Sequence, residues 1–421
     1  MDVRRAISSI IGLTLLSVAA QSQVKPYSLA DYLKVALTRN LLIGSADQAT
    51  ASAEYGNSAI RNGFFPQISV GSHLIVAPGY DEAITNGGEF GAQLGGTYTI
   101  YDGGARSLEI EKGGIGVERT RVNRTRVAAD VVFAVSVAFV EAAKEKRELG
   151  VVAQGYALIS DYLQLTKQLH ASGQGSETDV LKTTVELNNA SIDIATRKVA
   201  YRNALLTLSQ ASGLSIEDVV DVDTTLVYAD YDTTLDLERN IDLQSGELEV
   251  KQARLDAQIA GSKLKPSVSV AADAGALTSL PNVRPGLAGV FGASIGLSFS
   301  IPVFTFGSIE DSYRAANASA NSLALQNDYA RSSLRSVFQM TRNDIESADS
   351  EMSSLQKNLG VAEQSLLLSR ARYAGGSGLS IEVLDAIRSN DQIRLAIEDA
   401  RAERDTDIFK LNRLNYAGVS R

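Results

Sequence analysis

The chain has 421 residues, enough for two or three ordinary domains or for one large repeated architecture. A formal net charge of −9 argues against a nucleic-acid partner, which would call for a basic patch or stripe. There is no cysteine and there are two histidines, His73 and His170, which removes thiol chemistry, disulfides, a cysteine-linked lipid and most zinc or haem sites.

The chain opens with Arg4 and Arg5 ahead of the 14-residue apolar run "ISSIIGLTLLSVAA". This predicts a secretory signal peptide over residues 1–20, cut after Ala20. The run is too short for a membrane-spanning helix, and no later one approaches about 18 apolar residues. A lead-in helix is expected over 21–65, where Ser28 and Asp31 have capping spacing and Leu29, Tyr32, Leu33, Ala36 and Leu37 share a face.

Residues 66–102 alternate. Ile68, Val70, Leu74 and Val76 interleave with Gln67, Ser69, Gly71 and His73, and Ala92, Leu94, Tyr98 and Ile100 with Gln93, Gly95, Thr97 and Thr99. Period two predicts a strand pair with one apolar and one polar face. Residues 103–212 read as a helical hairpin, a long helix to about Ala171 and a bend near 173–179 containing Gly173 and Gly175. Ser176 and Asp179 have the spacing of a capping box after that bend.

After a mixed segment at 213–237, the same order returns: a lead-in helix at 238–265, a strand pair at 266–304, a helical hairpin at 305–414 and a tail at 415–421. "HASGQGSETDV" from His170 matches "YAGGSGLSIEV" from Tyr373, 203 positions on, and "TIYDGG" from Thr99 matches "PVFTFG" from Pro302 at the same offset. An internal duplication accounts for this. Six of seven prolines fall in the two strand windows, and none interrupts the long helices. From Ser308 to Tyr373 the helix runs about 100 Å. Its narrow alanine-rich seam, with a register shift near Thr341 to Ile345, suggests helices packed side by side. Its bend, near 375–382, holds Gly375, Gly376 and Gly378.

Strands of about ten residues suit a tilted membrane-spanning barrel, although periodicity alone fits a pair of soluble hairpins equally well. The signal peptide and the repeat favour the barrel. Four strands cannot close one, and an open edge in lipid leaves backbone groups unsatisfied, so a membrane-spanning reading requires several copies.

Catalytic patterns fail on inspection. "GASIG" at Gly292–Gly296 has nucleophile-elbow spacing, but Ser294 is mid-strand and no histidine follows it. Glu382 and Asp385 lie on one helical face, where acids complement the helix dipole; no histidine stands near enough in sequence to complete a metal set. No enzyme activity and no cofactor is expected.

"YSLADYLKVALTRNL", "YDGGARS", "IPVFTFGS" and "YAGGSGLSIEVLDA", in that order along the chain, resemble the TolC-like outer-membrane efflux proteins. The resemblance implies a mainly α fold with a transmembrane β part. Internally duplicated long-helix hairpins form a trimeric α-barrel tunnel, and four strands per protomer enter a shared 12-stranded outer-membrane β-barrel. It implies an exit duct of a tripartite efflux pump, or of type I protein secretion, spanning the outer membrane of a Gram-negative cell and extending into the periplasm. The homotrimer would contact outer-membrane lipid and be opened at its periplasmic tip by a periplasmic adaptor protein and an inner-membrane pump of RND or ABC type. Glu382 and Asp385 fall on the family's acidic constriction, with Asp179 and Lys182 at the matching first-repeat positions. Tyr373 and Asp179 fall on positions that link neighbouring hairpins. A basic residue often found in those links is replaced by Gly378, which implies a looser gate. Asn40-Leu41 replaces a common Asn-Pro, and the chain stops soon after "NYAG", without the longer C-terminal segment of some members. An exported coiled-coil structural protein is the rival reading.

Overall fold

A computed structural model describes residues 26–78, 80, 87–215, 221–225, 234–279 and 290–415. The expected signal peptide, most of the C-terminal tail, both strand-connecting loops in part and much of 213–237 lie outside these.

The lead-in is two helices, α1 (Leu29–Arg39) and α2 (Leu41–Gly63), where a single helix was expected. Ser28 and Asp31 form the capping box of α1. Asn40 is extended (φ −67°, ψ 127°) and caps α2 by accepting from the Leu42 N–H, so the break replaces one lost backbone bond with a side-chain one. Strands β1 (Gln67–Val76) and β2 (Gly88–Asp102) follow, then α3 (Ala105–Ala171) and α4 (Glu177–Ser212). The second half gives α5 (Ile241–Ser262), β3 (Ser267–Ser279), β4 (Phe291–Ser300), α6 (Ser308–Ala374) and α7 (Ser380–Leu414). Helices α3 and α6 are each 67 residues long, and α4 and α7 are 36 and 35, so the duplication is kept almost residue for residue. Asn40 and Asn240 play the same part in each half: each caps the lead-in helix and donates across 2.8 Å to the end of the returning helix, at Ala211 O and Leu414 O.

The strands form one antiparallel meander in the order β1-β2-β3-β4. The inner strands are longer than ten residues, 15 in β2 and 13 in β3. Cross-strand registers stack Val70, Leu94, Ala274 and Ala293 on one face and Ser69, Gly95, Asp273 and Ser294 on the other. A bulge between Thr99 and Tyr101 skips Ile100, which brings Tyr101 opposite Val268 and keeps the apolar face continuous. On the polar face His73 meets Glu89 at 2.6 Å, and the Ser294 hydroxyl donates to Asp273 at 2.6 Å, a structural use of the serine. The apolar face is uncovered: Val70, Ile295 and Leu297 are 79%, 81% and 71% exposed.

Helix α3 is the spine, touching α1, α2, α4, α5 and α7. The main core packs Tyr32 and Ala36 of α1 against Val135, Phe139 and Ala142 of α3 and Leu208 of α4. Around mid-length, the 221–225 segment lies against this core, with Tyr27 bridging Val222 and Lys146 Nζ donating to Asp221 and to the Val222 carbonyl. Among the described residues no helix is long and apolar enough to cross a membrane.

Candidate functional site at the helical tip

Both 67-residue helices end in the same turn. After α3, Gly173 adopts φ +76° and the Gln174 and Gly175 N–H groups donate to Leu169 O at 2.8 and 3.0 Å. After α6, Gly376 adopts φ +74° and the Ser377 and Gly378 N–H groups donate to Arg372 O at 2.9 and 3.0 Å. Positive φ explains Gly173 and Gly376. Gly175 and Gly378 are needed for close approach: a Cβ would lie 3.0 Å from the His170 nitrogen or 2.8 Å from the Tyr373 nitrogen. Gly378 therefore has a conformational role in this chain. Gly375 ends α6 with an ordinary φ of −82°.

The two turns hang on a separate core of four helices: Ile159 and Tyr162 of α3, Ala190 of α4, Leu366 and Tyr373 of α6, and Val383, Leu384 and Ile387 of α7. It lies about 100 Å from the sheet along α6.

The expected site residues fall into this assembly, with altered partners. Ser176 caps α4 by accepting from the Thr178 N–H, but Asp179 does not return the bond as a capping box would. Its carboxylate accepts from the Tyr373 hydroxyl at 3.3 Å, joining α4 to α6. Both residues of this contact belong to one protomer. Glu382 stands in the first turn of α7, with Oε2 3.7 Å from Arg372 Nη1. Asp385 is exposed and accepts from Arg388 at 3.1 Å, while the other arm of Arg388 reaches Glu186 of α4 at 2.5 Å. Each acid of the constriction that the family resemblance implies has an arginine in its own protomer, which offsets its negative charge.

Three residues of this junction escaped the sequence reading. Tyr162, fully buried, donates to Ser380 Oγ at 2.8 Å. Arg372 and Arg388 supply the counter-charges. The signal for Tyr162 was its place on the apolar face of α3 with Ile159 and Thr166, since a buried tyrosine hydroxyl needs a partner. The partner itself is 218 residues away.

Above the tip, polar groups are buried between helices. Burial pushes the Asp391 carboxyl up to about 6, opposed by Arg394; it is packed against Gly155 of α3, where a Cβ would force the carboxylate to swing aside. Burial also raises Glu148 to about 7 against the pull of Arg197, which it contacts, with Asp399 and Glu145 raising it further. Among the described residues no group of three or more His, Asp or Glu side chains is placed to hold a metal ion.

Comparison with known proteins agrees with this architecture. The outer membrane efflux protein family matches over residues 32–214 and 234–414, one span per repeat. The outer membrane protein TolC of Salmonella enteritidis is 22% identical over 99% of this chain and 86% of its own length. Among solved structures, VceC from Vibrio cholerae has a TM-score of 0.80 at 15% identity, covering 93% of this chain and 96% of that one. A CusC structure has a TM-score of 0.82 at 17% identity, covering 93% and 92%. Two matched spans, the twice-written hairpins and the uncovered sheet face agree: the chain belongs to the outer membrane efflux protein family, as a TolC-like outer-membrane channel protein.

Proposed function

We propose that three copies close a shared 12-stranded barrel in the outer membrane, and that their helical hairpins form a periplasmic tunnel, the exit duct of a tripartite efflux pump. The observation that carries this reading is the sheet: β1 and β4 leave both edges unpaired while its apolar face is bare. Those edges run antiparallel to each other, so β4 of one copy can pair with β1 of the next, which satisfies every edge group. Surface area supports assembly as well. The accessible surface is 26589 Å² for 44.8 kDa, whereas a compact monomer of that mass exposes about 16,000 Å².

Within this duct the tip is the gate. Glu382 and Asp385 lie near the lumen, and a periplasmic adaptor and an inner-membrane pump release the α6–α7 hairpin. The pump supplies both driving force and choice of cargo. The first test is fractionation: a heat-modifiable trimer in outer-membrane preparations, with channel conductance in planar bilayers, is the expected result. Recovery as a soluble monomer or filament would overturn it.

A further inference from the structure

Two tyrosines from different repeats meet at the tip. The rings of Tyr162 and Tyr373 pack edge to face, with centroids 5.3 Å apart and planes at 62°. Their hydroxyls are within hydrogen-bonding reach of each other and differ in their further partners. Tyr373 donates to Asp179 across 3.3 Å, and that carboxylate is half-exposed. Tyr162 donates to Ser380 Oγ across 2.8 Å, with Tyr162 0% and Ser380 5% exposed. Ile159, Val383, Leu384 and Ile387 complete the apolar cluster around the Tyr162–Tyr373 pair.

Position adds to burial. Ser380 is the first residue of α7, whose N-cap, Leu379, offers no side-chain bond. The Tyr162 hydroxyl also lies 3.4 Å from the Ser380 carbonyl, and Ser380 is within hydrogen-bonding reach of Tyr373. Tyr162 therefore pins the rotation of α7 at its first turn, directly before Glu382 and Asp385. Burial pushes the Tyr162 hydroxyl well above the usual tyrosine range, so it stays a neutral donor.

We infer that the Tyr162–Ser380 hydrogen bond is the principal latch of the tip, holding the α6–α7 hairpin against α3, and that the duct opens by releasing it. The Tyr373–Asp179 bond is its weaker companion. The inference rests on the gate reading above. Its physical basis is competition with water. A half-exposed pair exchanges its bond for hydration at small cost, whereas a sealed pair has no water to turn to until the junction parts.

Single-channel recording in planar bilayers, on the full-length trimer, tests the latch. Tyr162→Phe keeps the ring and removes the hydroxyl; it is expected to raise open-state occupancy about fivefold, more than Tyr373→Phe does. Ser380→Ala should match it, and the double variant should add little, because both changes remove one bond. Trimer melting serves as the control: a change confined to packing would lower it without this coupling in occupancy. If Tyr162→Phe fails to assemble, Ser380→Ala carries the same test. Wild-type occupancy in Tyr162→Phe and Ser380→Ala, with Tyr373→Phe and Asp179→Asn raised, would overturn the latch and leave the gate. Wild-type occupancy in all four would remove the gate as well.

Discussion

The two hairpin tips share a backbone and differ in side chains. Gly173 and Gly376, and Gly175 and Gly378, do the same work 203 positions apart. Around them Ser176 becomes Leu379, Asp179 becomes Glu382 and Lys182 becomes Asp385. The first tip closes its helix with its own serine; the second has no such cap and depends on Tyr162 of the other repeat. Duplication thus preserved the turn, a local demand of backbone geometry, and freed the neighbouring positions to specialise. One tip caps its helix with its own serine, and the other leans on a tyrosine of the first repeat.

The largest expected effect probes the shared part. Gly378→Val and Gly175→Val should each destabilise their tip by about 2–3 kcal/mol, because the new Cβ meets backbone that cannot move aside. Limited proteolysis at the two bends reads this. Unequal losses would break the equivalence of the two turns.

Next comes the difference in capping. Ser176→Ala should cost about 1 kcal/mol at the first tip, and Leu379→Ser should return up to about that much at the second. Hydrogen exchange of the first turns of α4 and α7 separates the two effects.

Asp391, on the returning helix of the second repeat, provides a pH test. Its carboxyl titrates near 6 when folded against 3.8 as its ordinary value, so the folded state holds a proton that the unfolded state releases between those limits. Its contribution is therefore most favourable below about pH 4 and is lost as pH rises to about 6. Asp391→Asn should flatten that slope in trimer melting, an effect on the order of 1 kcal/mol.

The smallest effect is selectivity. Glu382→Gln with Asp385→Asn should lower cation preference about twofold, a modest change because Arg372 and Arg388 already offset these acids. The same pair of changes with Arg388→Gln should show how much of the field the arginine was masking. No change in either variant would reduce the two acids to helix-dipole partners.

Much of the fold was legible because its signals are local. Alternation of Val268, Val270 and Ala272 with Ser267 and Ser269 states a strand with two faces, and the glycine pairs state a bend twice. The break at Asn40 was not legible as a break, since its cap on Leu42 is local but the bond that holds it to Ala211 joins residues 171 apart. Nor was the bulge at Ile100, which depends on what lies opposite in β3. At the tip, Tyr373, Asp179, Glu382 and Asp385 were singled out from the repeat and the family resemblance, whereas Tyr162, Arg372 and Arg388, which packing brings against them, were not.

What the sequence by itself determined about this protein is therefore whatever each stretch of chain needs of its own backbone: helix length, strand period, the glycine turns and their duplication. The tertiary structure decided which side chains meet: Tyr162 with Ser380, Arg388 with Glu186, Gly155 with Asp391. The reason is physical. Local elements follow from propensities and periods read within a few turns, whereas a buried hydroxyl or carboxylate takes its character from atoms that only packing brings within reach.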